Sequence, residues 1–155
     1  MTYNLKLDHK AVKFAYANRT ADLNLGSGAS TDAQYALTAL SGSTGLQATL
    51  SGGNIVLGDR VYHGFFYPMA GGNDQFTVSI FINGVALTTQ RTVIKQLAST
   101  ASSVNNITRS QPLFFSYVAT DGDVLSIRYS KTSGAIFNIY SGSIGTNLFL
   151  MEVAK

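Results

Sequence analysis

The chain has no cysteine. Disulfides and thiolate metal sites are therefore excluded, and the compartment stays open. Charge is scarce. Only 12% of the 155 residues are Asp, Glu, Lys or Arg, well below the share usual in a soluble protein. With 8 acidic residues and two histidines, His9 and His63, a His/Cys metal cluster cannot be assembled. Proline occurs twice, so turns fall to the 15 glycines and to asparagine. No stretch approaches the ~18 apolar residues of a membrane helix. Residues 1–20 lack the apolar core of a secretory signal, so Met1 reads as a true start. No G-x-S-x-G motif supports a Ser–His–Asp triad, and Gly26-Ser27-Gly28 lacks the helix that a dinucleotide fingerprint requires. The expectation is a non-enzyme with no catalytic residue, no metal, no cofactor, no small-molecule substrate and no membrane partner.

What is present is alternation. In Gln111 to Lys131, QPLFFSYVATDGDVLSIRYSK, two apolar runs flank an acidic turn. The first is apolar on both alternating sets: Leu113, Phe115 and Tyr117 on one, Phe114 and Val118 on the other. The second is one-sided, with Leu125, Ile127 and Tyr129 set against Ser126, Arg128 and Ser130. Period-two patterning predicts strands. Asp121 and Asp123 around Gly122 read as a turn between them, and the pair is also a candidate to help ligate calcium.

Elsewhere the pattern is similar. Met1 to Arg19 alternates weakly, through Tyr3, Leu5, Leu7, Val12, Phe14 and Tyr16, and suggests an extended arm or two short strands; 20–30 reads as a Gly/Ser/Asn loop. Thr31 to Leu40 begins with a capping Thr or Asp and shows a partial helical stripe, so it is read as a helix or a strand. Residues 40–58 suggest short strands split by glycine turns. Arg60 to Pro68 carries aromatics on both sets. Gln75 to Ile82 is one-sided, with Phe76, Val78, Ile80 and Ile82 inward. Asn83-Gly84 then predicts a tight hairpin, since both residues tolerate positive φ. Ser99 to Ser110 reads as a polar loop or edge, and Leu148 to Val153 as a closing strand, apolar on both sets. Eight to ten short strands with frequent turns predict an all-β sandwich or jelly roll.

Three strands are therefore apolar on both faces: 60–68, 113–118 and 148–153. A sandwich strand has one face in the core and one in water. A second apolar face needs a second dry surface, and patches of that size are unusual on monomers. A closed symmetric oligomer supplies the cover. The net charge is +3, and Lys6, Lys10, Lys13 and Arg19 cluster at the N-terminus. They read either as a basic arm for an acidic partner or as solvated lysines that protect a strand edge.

The segments LFFSYVATDGDVLSIRY, VYHGFFY…FTVSIFINGV and GTNLFLMEV together resemble the tumour-necrosis-factor and complement globular-head superfamily over roughly residues 45–155. The resemblance implies a homotrimeric jelly roll whose aromatic strands line a three-fold axis, with 1–30 as N-terminal arm and linker and 31–155 as the domain. It implies a trimer interface of Tyr62, Phe66, Phe115, Tyr117, Phe149 and Met151. The Ser/Thr/Asn-rich, cysteine-free composition is similar to that of phage head-fibre, spike and capsid-decoration proteins. Without a collagen repeat or a heptad stalk, the implied role is a capsid decoration protein on the virion exterior. Lys6, Lys10, Lys13 and Arg19 would then form the arm that binds the major capsid protein. The alternative is the receptor- or glycan-binding head of a phage fibre or spike, with a host surface glycan as partner and Tyr35 or Tyr140 as the sugar-facing aromatic.

Overall fold

The computed structural model describes residues 12–24, 29–72, 75–95, 107–109, 112–131, 137–139 and 146–155. These residues hold strands and turns and no helix, so among them no helix could cross a membrane. Fifteen strands follow one another: β1 (Lys13–Asn18), β2 (Leu23–Asn24), β3 (Ser30–Gln34), β4 (Ala39–Gly42), β5 (Thr49–Ser51), β6 (Asn54–Leu57), β7 (Val61–Tyr67), β8 (Met69–Gly72), β9 (Gln75–Ile82), β10 (Val85–Lys95), β11 (Ile107–Arg109), β12 (Leu113–Val118), β13 (Asp123–Lys131), β14 (Phe137–Ile139) and β15 (Asn147–Val153). The count exceeds the eight to ten expected, because bulges and short edge pieces divide what pattern alone joins. The helix-or-strand alternative at 31–40 resolves to β3 and β4. Its partial stripe is overridden by pairing of β3 with β13 and of β4 with β1.

All pairings are antiparallel. One sheet runs β12-β7-β15-β1-β4, and a six-stranded sheet runs β10-β9-β13-β6-β5 with β3 also paired to β13. A four-stranded ladder, β11-β8-β14-β2, follows where Pro68 separates β8 from β7; proline offers no N–H to the ladder. The two larger sheets share one core. The first contributes Tyr62, Phe66, Leu113, Phe115, Leu148 and Leu150; the second contributes Ile55, Leu57, Val78, Ile80, Leu125 and Ile127.

Turn chemistry sets the register. Val85 pairs directly with Ile82, so Asn83-Gly84 is a two-residue loop. Both residues have positive φ, 50° and 79°, as a type I′ turn requires. This turn is locked to the next one along the edge. Asn83 Nδ2 donates to Asp123 Oδ1 at 2.7 Å, and Val124 N donates to Asn83 Oδ1 at 2.8 Å. Asp123 Oδ2 accepts from Tyr117 Oη at 2.8 Å and from Thr120 N at 2.9 Å. The bonds from Thr120, Asn83 and Tyr117 hold the Asp123 carboxyl below its ordinary value. In return the bond to Asp123, with some burial, raises the Tyr117 hydroxyl. Asp123 is thus committed to clamping two turns, the role of an acidic turn residue.

The N-terminal boundary moves. An arm and linker running to residue 30 is corrected by β1, which lies inside the five-stranded sheet between β15 and β4. Any free arm must precede β1. Lys6 and Lys10 lie outside the described residues.

Candidate functional site

The three strands that read as apolar on both faces are β7, β12 and β15, and the fold makes them immediate neighbours. One alternating set of each enters the core. The other forms a continuous surface whose rows follow from register. Tyr16 pairs with Phe149, Phe149 with Phe65, and Phe65 with Phe114. The next row is Phe14, Met151, His63 and Ser116; the row after that contains Val153, Val61 and Val118. Residues directly opposite across a ladder share a face.

The first row is a run of contacting rings across four strands. Tyr16 meets Phe149 edge-on at 5.0 Å between centroids, Phe149 stacks on Phe65 at 4.6 Å, and Phe65 lies 6.0 Å from Phe114. These separations suit aromatic attraction. Phe65, Phe114 and Phe149 border a shallow apolar depression of about 570 Å³ that also touches Phe14, His63, Ser116 and Met151. The surface is wet and apolar at once: Phe14 is 59% exposed, and Phe114 and Val118 are each 63% exposed. Of five large apolar side chains most exposed among the described residues, these three lie on this face, and Val12 continues their alternation just before β1. Two polar groups interrupt it. His63 Nδ1 lies 2.9 Å from Ser116 Oγ, and the Tyr16 hydroxyl donates to Asn147 Oδ1 at the edge.

The residues expected at a subunit interface divide between the two faces. Phe149 and Met151 lie on the outward face, half-buried. Tyr62, Phe66 and Phe115 are a correction: they are 0%, 1% and 5% exposed and belong to the subunit's own core. Tyr117 also points inward and packs against that core. Gly64 supplies the physical reason for Phe115. A Cβ at Gly64 would come within 2.5 Å of the Phe115 ring and 2.8 Å of the Phe149 carbonyl. The ring fills the space over the glycine from inside the sandwich, which only a residue without a Cβ leaves open.

Sequence reading therefore missed Phe14, Phe65 and Phe114. A usable signal was present in β7 and β12: His63 shares its alternating set with Phe65, and Ser116 shares its set with Phe114 and Val118. A polar member marks the wet set. The same rule fails in β15, where Glu152 belongs to the inward set with Leu148 and Leu150 and is 2% exposed. Its charge is tolerated because Lys13 lies 3.7 Å away, Arg60 lies 4.0 Å away, and Gln47 N and Tyr62 Oη donate to it at 2.7 and 3.2 Å. Burial pushes the Tyr62 hydroxyl up to about 12.

The basic residues expected on an arm are engaged elsewhere. Lys13 bonds to the Gly45 carbonyl as well as pairing with Glu152. Arg19 donates to the Ala36 and Ala21 carbonyls at 2.9 and 3.2 Å, and its guanidinium stands 5.6 Å from the centre of the Tyr35 ring. Both side chains are thus held against the body of the subunit rather than on a free arm. Tyr35 itself is 1% exposed, which removes it as a sugar-facing aromatic; burial holds its hydroxyl well above the ordinary tyrosine value. Tyr140 lies outside the described residues. Asp59 pairs with Lys155 rather than with its neighbour Arg60, which takes the Asp59 carbonyl. Among the described residues no cluster of three His, Cys, Asp or Glu side chains is poised to hold a metal ion.

No protein-family model matches the chain, and no curated protein matches it. Among solved structures it is similar to a structure of Eiger TNF from S. frugiperda, at 11% identity, with 92% of each chain covered and a TM-score of 0.54. The fold is a tumour-necrosis-factor-like jelly roll. At this identity the likeness concerns the fold alone, and it extends over nearly the whole chain rather than only residues 45–155.

Proposed function

We propose that the protein is a structural, self-assembling head, a homotrimer built on the outward face of its five-stranded sheet that decorates the exterior of a viral capsid. The observation that carries the assembly is that face: Phe14, Phe65, Phe114, Phe149, Met151 and Val118 form one apolar surface across four strands, with His63 and Ser116 set within it. Each such side chain gains about 1.5–3 kcal/mol on full burial, and a second copy brings an apolar surface of the same chemistry. The three-fold order is the one implied by the resemblance to trimeric jelly rolls. The capsid role draws on the low charge and the Ser/Thr/Asn-rich composition. It is a reading by analogy of fold and composition.

Attachment to the shell falls to the chain before β1, with Lys6 and Lys10 as its basic residues. Three copies of a weak arm suffice, since linked contacts add effective concentration. Sedimentation of the full chain tests the assembly. The expected mass is three times the 16.5 kDa subunit, and Phe114→Asp should yield a folded single subunit. A wild-type protein that sediments as one subunit at micromolar concentration sinks the proposal. Shell binding is tested by removing residues 1–11 only. Truncation to residue 19 would withdraw β1 from its sheet and unfold what it means to probe. If the 1–11 deletion still decorates capsids as the intact chain does, the arm has no part in attachment.

A further inference from the structure

His63 lies in the middle of the outward apolar face, the one histidine among the described residues. Every group packed around it on that face is neutral: Ser116, Phe114 and Val118 from β12, Met151, Phe149 and Val153 from β15, Phe14 beyond Met151 on β1, and Val61 and Phe65 on its own strand. Lys13 and Glu152, the charged residues of β1 and β15, belong to the opposite alternating set. Glu152, Lys13 and Arg60 satisfy one another there, with the Tyr62 hydroxyl. Asp59 and Lys155 pair at the end of the subunit. Among the described residues no carboxylate faces the imidazole. Its polar partner is the Ser116 hydroxyl, which can donate to, or accept from, a neutral ring.

We propose that His63 makes self-association pH-dependent, with the face closed between copies when the imidazole is neutral and opened when it is protonated. The inference rests on the assembly reading above. A neutral imidazole bonded to Ser116 can be enclosed among phenylalanines at small cost. An imidazolium in the same place would be taken out of water with no counter-charge, and the copies related by symmetry would bring further imidazolium ions near it. The single subunit leaves His63 exposed, so the proton is held more easily apart than together. By linkage, assembly is strongest above the range where histidine titrates and weakens as pH falls through it, by about tenfold per pH unit for each histidine kept neutral in the assembly. The fold itself is not expected to titrate there, because Asp123, which clamps the β9–β10 and β12–β13 turns, is held ionised to lower pH than an ordinary carboxylate.

The test is sedimentation velocity over a concentration series at about pH 7.5 and about pH 5, on the full chain and on His63→Gln, which keeps a hydrogen bond to Ser116 without a titratable ring. Near-ultraviolet circular dichroism at both values reports the fold. The expected result is a wild type whose apparent dissociation constant rises about tenfold or more at the acid value while its fold is unchanged, and a variant with the same constant at both. A wild type equally assembled at both values overturns the switch and leaves the assembly reading standing. An acid rise of the same size in His63→Gln, or loss of the fold at acid pH, assigns the effect elsewhere and also overturns it. A wild type that is a single subunit at the neutral value removes the assembly reading and the switch together.

Discussion

The two large sheets share a core and treat their outer faces in opposite ways. On the six-stranded sheet the outward positions of β9 and β13 are Thr77, Ser79 and Phe81, and Ser126, Arg128 and Ser130. The aromatic among them is covered: the Arg128 guanidinium lies 4.6 Å above the Phe81 ring, which is only 5% exposed. On the five-stranded sheet, Phe65, Phe114 and Phe149 touch one another and no cation lies over any of them among the described residues. On one sheet Ser79 and Ser126 are buried together with Phe81, at 5% and 4% exposure, while the other sheet leaves Phe14, Phe114 and Val118 open. Apolar content alone does not mark an interaction surface; apolar content that the chain leaves uncovered does.

The largest expected effect sets the two faces against each other within one strand. Phe66 and Phe65 are adjacent in β7 and point in opposite directions. Phe66→Ala empties a core position and should cost about 3–5 kcal/mol in chemical denaturation. Phe65→Ala should cost the isolated subunit about 1 kcal/mol or less, while weakening assembly in a dilution series. Equal losses of stability from the two would mean that the outward face is covered within the subunit.

A smaller effect belongs to the shared edge. Asp123→Asn removes the carboxylate that ties the β9–β10 turn to the β12–β13 turn. The expected cost is about 1 kcal/mol at neutral pH, allowing for solvent screening. Because its folded value is depressed, the wild-type contribution is complete above the ordinary carboxylate value and is lost as pH falls through the lower, folded one. Urea midpoints for the two proteins should therefore differ at neutral pH and converge in strong acid; a constant difference would remove Asp123 from the account. The smallest effect is Arg128→Ala, which uncovers Phe81 and should cost about 0.5–1 kcal/mol. Binding of an apolar fluorescent dye should rise. If it does not, the guanidinium is not what separates the two outer faces.

Much of this contrast is already visible in the strings of residues. Val78, Ile80 and Ile82, and Leu125 and Ile127, are buried as their alternation requires, and Asn83-Gly84 turns where its φ tolerance predicts. The two-sided strands were also recognisable as a group. Which side of each faces out was harder to read. In β12 both sets carry phenylalanine, and the inward Phe115 lies over Gly64, which is on a strand distant in sequence and has no Cβ to displace the ring. In β15 the apparent polar marker, Glu152, is an inward residue whose counter-charges come from Lys13 and Arg60. The surroundings of the basic N-terminal residues were hidden for a related reason: Lys13 and Arg19 find partners at Gly45, Glu152, Ala36 and the Tyr35 ring, none of which a local reading can place beside them.

By itself the sequence determined the all-β class, the hairpin at Asn83-Gly84, the absence of thiol chemistry and an excess of apolar surface on three strands. These follow from period-two alternation, from backbone conformations open to few residue types, and from composition, all of which are local. Only the tertiary structure decided that those three strands lie side by side, that Phe65, Phe114 and Phe149 rather than Tyr62, Phe66 and Phe115 form the outer surface, and that β1 belongs to the sheet rather than to an arm. Those outcomes depend on cross-strand register and on the pairing of buried charges between segments far apart in the chain, which no local pattern encodes.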